Sequence, residues 1–225
     1  RMTVDERQSV PAGGMRARVA PWGRRLRTET GGAGLLLAAT VAALAWANSP
    51  WGDSYDTFWH TEVGPLNQII HVWAYDSFER RAAGRAAASK DPNWPPPIRE
   101  SVVNQATELF HPAPFSPPLE PRQVGPLFEI RQYTLIPGAI PGLIERWSEK
   151  IEGRQKFSPL VAGMYSEFGA LNKWVHIWAY KDANERAAVR AAAAATGQWP
   201  ARNPPGVVVK QENSFVLPAA FSPIR

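Results

Sequence analysis

The 225-residue chain contains no cysteine. Disulfides, thiolate metal sites and thiol nucleophiles are thereby excluded, while the redox compartment stays open because absence fits both sides of a membrane. Histidine is scarce: His60, His71, His111 and His176 stand apart, without H-x-H or H-x-x-x-H spacing or a nearby carboxylate set, so no metal is expected. Glycine-rich phosphate loops are missing, since Gly13-Gly14 and Gly31-Gly32 lack a Lys-Ser/Thr or G-x-G-x-x-G context. Charge excess is nearly absent from the body of the chain. The net charge is +5, and residues 1–31 hold seven arginines against Asp5, Glu6 and Glu29, so that segment carries +4 and the rest +1. Phosphate recognition needs clustered Lys and Arg, and neither a nucleic-acid partner nor a cofactor is expected.

One apolar run is conspicuous. Ala33 to Ala47 spans 15 residues interrupted only by Thr40, after Arg24, Arg25 and Arg27 and before Asn48-Ser49-Pro50. It is short of the roughly 20 residues that span a bilayer. With Ala45-Trp46-Ala47 as an A-x-A site it imitates an export signal, but one displaced from the chain start. The expectation is a cytoplasmic protein with an inserted segment; the alternative is export or membrane association through residues 24–47, and no membrane contact is expected outside residues 33–47.

What is present is a repeat. Gly64-Pro65-Leu66-Asn67-Gln68-Ile69-Ile70-His71-Val72-Trp73-Ala74-Tyr75 returns 105 residues later as Gly169-Ala170-Leu171-Asn172-Lys173-Trp174-Val175-His176-Ile177-Trp178-Ala179-Tyr180. Arg81, Trp94 and Pro95 meet Arg186, Trp199 and Pro200 at the same offset, and Pro112 to Pro117 meets Pro218 to Pro223 one residue later in register. A period this long is the size of a small domain rather than a solenoid repeat. The chain is two copies of one module.

The second copy reads clearly. Leu127 to Thr134 alternates as a strand and Pro137-Gly138 breaks it; Ile140, Leu143, Ile144 and Trp147 follow at helical spacing, fading near Gly153. Leu160 to Phe168 and Asn172 to Tyr180 are two strands joined through Gly169, Ala183 to Thr196 is an alanine-rich helix stopped at Gly197, and Val207 to Leu217 is a last strand. The order is βαββαβ, the split-βαβ, ferredoxin-like plan. In copy one, Val4 to Val10 parallels the opening strand and Thr57 to Tyr75 supplies strands two and three. Arg7 to Gly64 is 57 residues where Arg131 to Gly169 is 38, so about 19 are inserted near 31–53. The expected organisation is a first module over 1–118 carrying that insertion, a linker over 119–126 and a second module over 127–225.

These motifs, Gly64 to Tyr75, Glu129-Ile130-Arg131-Gln132-Tyr133, and Gln211-Glu212-Asn213 with Pro218 to Pro223, together resemble the NIPSNAP family. The resemblance covers most of residues 55–225 and implies an α+β fold: two tandem ferredoxin-like modules of the dimeric α/β-barrel superfamily, packed sheet to sheet as an in-chain barrel. It implies no single activity, because eukaryotic members look like mitochondrial adaptors while superfamily relatives include cofactor-independent oxygenases and small lyases. Copy one departs from the pattern, with Asp5, Arg7 and Ser9 where a Glu-x-Arg-x-Tyr strand belongs.

Alternation places Asn67, His71, Trp73 and Tyr75 on one strand face, Ile70, Val72 and Ala74 on the other, and copy two sorts identically. With the aliphatic face assigned to the helices, the polar-aromatic face would line a pocket between the sheets. The candidate pocket residues are Asn67, Trp73, Tyr75, Glu129, Arg131, Tyr133, Asn172, Trp178 and Tyr180. His71 and His176 are candidate acid/base groups, because imidazole titrates near neutrality, although a hydrogen-bonded structural histidine would repeat in the same way. Arg131 would either pair with Glu129 or anchor an anionic ligand. Stacking of these aromatics on RNA bases is disfavoured by the near-neutral body and the absence of a Lys/Arg-Gly-aromatic signature. The expected partners are a small apolar or aromatic ligand or another protein, and the rival to binding is a cofactor-independent enzyme.

Overall fold

The computed structural model describes residues 56–92 and 101–225. The opening strand expected at Val4 to Val10, the insertion at 31–53, and Trp94-Pro95 lie outside the described residues. The chain divides into Arg1–Val41 and Ala42–Arg225, and everything below concerns the second unit.

In copy one, β1 (Asp56–Val63) and β2 (Ile69–Trp73) form a hairpin, followed by α1 (Phe78–Ala88) and β3 (Leu109–Pro112). Copy two contains β4 (Leu127–Leu135), α2 (Ile140–Ser148), α3 (Ile151–Gln155), β5 (Leu160–Phe168), β6 (Lys173–Tyr180), α4 (Ala183–Ala195) and β7 (Val208–Pro218). The expected helix from Ile140 breaks into α2 and α3 at Glu149-Lys150. Local chemistry accounts for the ends: Ser77 and Asp182 cap α1 and α4 by accepting from the backbone N–H of Arg80 and Glu185. The repeated Gly-x-Leu-Asn is a turn signature, since Gly64 and Gly169 have φ of 116° and 97° and Asn67 and Asn172 have φ of 58° and 57°. Asparagine is among the few non-glycine residues that tolerate this left-handed region.

All seven strands form one antiparallel sheet in the order β2-β1-β7-β4-β6-β5-β3. The run β7-β4-β6-β5 is the ferredoxin order of copy two, and copy one adds β1 beside β7 and β3 beside β5. The modules thus join edge to edge into a curled half-barrel.

Two cores lie on opposite sheet faces. Inside the curl, Trp59, Phe128, Val161, Ala162, Val175, Ile177, Ala179, Val216 and Ile224 are buried together, with Ile70, Val72 and Phe110 of copy one against them. Outside, Leu143, Trp147 and Ile151 pack on Trp174, Trp178 and Tyr180. Gly163 permits that layer, because a Cβ there would lie 3.1 Å from the Trp174 ring and 3.3 Å from Phe115.

The Phe-Ser-Pro motifs close the modules reciprocally. Ser116 Oγ accepts from Gly163 N at 3.1 Å, and Phe115 packs on Trp147 and Trp174. Ser222 Oγ accepts from Phe58 N at 3.2 Å, and Phe221 packs on Phe58. Phe58 is the counterpart of Gly163 at the 105-residue offset, so each copy's tail is clasped to the other copy's second strand.

Candidate functional site

The outer face of copy two concentrates the charged groups. Glu129 on β4 is fully buried, yet accepts from Arg131 Nη1 at 2.9 Å, Arg186 Nη2 at 2.5 Å, Arg186 Nε at 3.2 Å and Asn213 Nδ2 at 3.3 Å. Strand alternation puts Glu129 and Arg131 on one face, β7 pairing sets Asn213 opposite Arg131, and α4 brings Arg186 down from above. Burial alone would raise the carboxyl, but hydrogen bonds and charge from Arg186 and Arg131 reverse this and hold it below its usual value. Arg131 Nε also donates to Tyr133 Oη at 3.2 Å. The pairing alternative for Arg131 is therefore the one observed.

His176 is 2% exposed. Its Nδ1 accepts from Trp178 Nε1 at 2.7 Å, so the neutral ring carries its hydrogen at Nε2, an atom with no hydrogen-bond partner. Trp147 and Tyr133 sit edge-on at 4.7 and 5.1 Å between centroids. Burial, then the charges of Arg131, Arg190 and Arg154, push the imidazole well below 6.5. The ring is thus enclosed by aromatic neighbours and hydrogen-bonded to Trp178.

The reading of the strand faces is reversed in the structure. The aliphatic face of β6 lines the inside of the curl, and Glu129, Arg131, Tyr133, His176, Trp178 and Tyr180 lie beneath the helices. Four indoles, from Trp147, Trp174, Trp178 and Trp199, meet in the layer beneath the helices, whereas Val175, Ile177 and Ala179 pack with Trp59 and Phe128 inside the curl. Asn67 and Asn172 serve the hairpin turns. In copy one, His71, Trp73 and Tyr75 form a half-buried stack, with Phe58 3.8 Å from His71, Trp73 4.6 Å from His71 and Tyr75 6.1 Å from Trp73.

Sequence reading missed Arg154. It is 3% exposed on α3, donates to Ser158 Oγ at 2.9 Å and Tyr180 Oη at 3.4 Å, and lies 4.1 Å from the Trp178 ring centre. It has no carboxylate in ion-pair range among the described residues, and its Nε has no hydrogen-bond partner. Burial lowers its pKa, opposed in part by Tyr180. Arg154 lies on α3, beyond the break at Glu149-Lys150, where the expected helix fades near Gly153, so helical periodicity gives no signal for it.

Ser158 and Tyr180 also line a surface depression of about 240 Å³ with Gln123 to Pro126, Phe157, Pro159, Lys181 and Glu185. A second depression, of about 230 Å³, lies over Ile136 to Ala139 and Arg146. Among the described residues no group of three His, Asp or Glu is placed to hold a metal.

Fold and site define a tandem ferredoxin-like α+β protein with a sealed, arginine-rich layer beneath its helices. The NIPSNAP family model matches residues 24–117 and 128–223, and the chain belongs to that family. Mouse NipSnap homolog 3B is 28% identical over 184 residues, covering 75% of this chain and 71% of the relative. A candidate monooxygenase from Lactobacillus acidophilus shares the fold, with a TM-score of 0.63 over 86% of this chain and 90% of its own at 8% identity. A Na⁺/H⁺ antiporter, NhaA 3 of Frankia alni, is 49% identical over 76 residues, covering 29% of this chain and 16% of the antiporter.

Proposed function

We propose that this NIPSNAP protein binds a small organic anion with an apolar body. The observation that carries the reading is Arg154, a guanidinium buried without a carboxylate behind Ser158 and Tyr180, two residues that line the 240 Å³ depression. Taking a cation out of water costs several kcal/mol unless an anion or strong dipoles compensate it, and here two hydroxyls and the faces of Trp178 and Trp199 do so, with the Glu129 charge acting from beyond ion-pair range. Lys181 and Glu185 both stand at the rim and offset each other in charge, which leaves Arg154 as the cation behind the depression, and Phe157, Val124 and Pro126 offer apolar wall to the rest of a ligand. Binding is favoured over turnover because His176 is sealed and Glu129 is engaged by two arginines.

The test is calorimetric titration of the full chain with aliphatic and aromatic monocarboxylates beside matched amides. Acids should bind and amides should not, with Arg154→Met weakening the acids by roughly ten-fold or more. Equal binding of amide and acid, no binding of either, or an unaffected Arg154→Met protein would overturn the reading.

A second reading concerns location. No helix among the described residues is long and apolar enough to cross a membrane. The run Ala33 to Ala47 lies outside them, and its apolar length behind Arg24, Arg25 and Arg27 favours membrane association through residues 24–47. The full chain should float with liposomes, and Leu36→Lys with Leu44→Lys should return it to the soluble fraction. Flotation unchanged by that pair, or absent from the start, would sink the idea.

A further inference from the structure

One cation and two hydroxyls stand at the 240 Å³ depression, and the direction of the hydrogen bonds between them decides what a ligand touches. Arginine carries N–H donors and no acceptor. Arg154 donates to Ser158 Oγ at 2.9 Å and to Tyr180 Oη at 3.4 Å, so both hydroxyl oxygens accept on the guanidinium side and each keeps its own hydrogen for another direction. Among the described residues neither hydroxyl has another acceptor than the other hydroxyl. A pair of hydroxyls takes up only one hydrogen between its members. At least one O–H is left over, on residues that line the depression.

The guanidinium itself is set back. Arg154 is 3% exposed and does not line the depression, whereas Ser158 and Tyr180 do. Burial, then the Glu129 charge, raise the Tyr180 phenol above its usual value, so it keeps its hydrogen at neutral pH. A hydroxyl that accepts from a cation is polarised and donates more strongly on its other side. Charge also bounds the ligand. Lys181 and Glu185 offset each other at the rim, which leaves the single charge of Arg154 behind the wall. That charge suits a monoanion, while a phosphate monoester would bring a second negative charge toward Glu185.

We propose that the O–H groups of Ser158 and Tyr180 hold the ligand through its carboxylate, and that Arg154 is a positioning residue acting through them. This rests on the anion reading of the depression and adds to it the contact residues and the class, monocarboxylates in preference to phosphate monoesters. Each carboxylate oxygen takes one hydroxyl hydrogen, and the apolar body lies on Val124, Pro126 and Phe157.

The probes are benzoate, benzamide and phenyl phosphate, titrated calorimetrically into the full chain and its variants. Benzoate should bind the unaltered chain roughly ten-fold or more tightly than phenyl phosphate or benzamide. Tyr180→Phe and Ser158→Ala should each weaken benzoate by roughly ten-fold or more, the loss expected for one hydrogen bond to a charged group. Benzoate should raise the melting temperature of the unaltered chain and do so less for either variant, a readout that a merely structural role would not move. Arg154→Lys, which keeps the cation, should recover part of the affinity that Arg154→Met loses. Benzoate binding that falls in Arg154→Met but not in Tyr180→Phe or Ser158→Ala would overturn this inference and leave the anion reading standing. Absence of benzoate binding to the unaltered chain would overturn both, and phenyl phosphate bound as tightly as benzoate would overturn the assigned class.

Discussion

Glu129→Ala will lower the free energy of unfolding by about 3–5 kcal/mol, because it leaves two largely desolvated guanidiniums facing each other without their shared anion. Arg131 and Arg186 both bond Glu129 Oε1, and Asn213 adds a fourth hydrogen bond to the carboxylate, so β4, β7 and α4 all lose a tether. For a chain of this size the melting temperature should fall by roughly 6–20 °C. Urea midpoints at constant m-value are the check, and a loss under about 1 kcal/mol would show the pair of arginines to be well solvated.

The same carboxylate shapes acid stability. Its folded pKa lies below the 4.5 of a free side chain, so its contribution is present above that value and lost as pH falls through the folded pKa. His176 acts earlier. Its folded pKa lies well below 6.5, so the unfolded chain takes up the proton first, and stability declines as pH drops from about 6.5 toward the folded value. Glu129→Gln should abolish the lower limb of the profile and spare the upper one.

Trp147→Ala is the second large loss, about 3–5 kcal/mol from removal of a buried aromatic ring and the cavity left behind. Its indole stands 4.7 Å from the His176 ring, 4.8 Å from Trp199 and 5.0 Å from Trp174, so one residue of α2 is the common neighbour of the whole outer layer. Water admitted beside His176 should move its pKa back toward 6.5, which an NMR titration would report. Conversion of stability loss without any change at His176 would mean the layer collapses around the gap.

The repeat made the fold readable from one chain. A Gly-x-Leu-Asn turn, alternation on both sides of it and an alanine-rich helix after a capping residue are local signals, set within a few residues by backbone sterics and hydrogen bonding. Element order, the bounds of strand Leu160–Phe168 and the start of helix Ala183–Ala195 follow from them. The strand faces were assigned to the wrong sides, because alternation divides a strand into two faces and says nothing about which one the helices cover. The clustering of Arg154 with Tyr180, 26 residues away, and of Glu129 with Arg186 and Asn213, 57 and 84 away, has no local signature.

By itself the sequence determined that this protein is two copies of one module and has no thiol chemistry, since both conclusions rest on residue identity and short-range order. Only the tertiary structure decided that the modules join edge to edge and that Trp147, Trp174, Trp178 and Trp199 meet in the layer beneath the helices. Those outcomes depend on the volume each face must fill and on which distant charges share a desolvated space, quantities that exist only once the chain has folded.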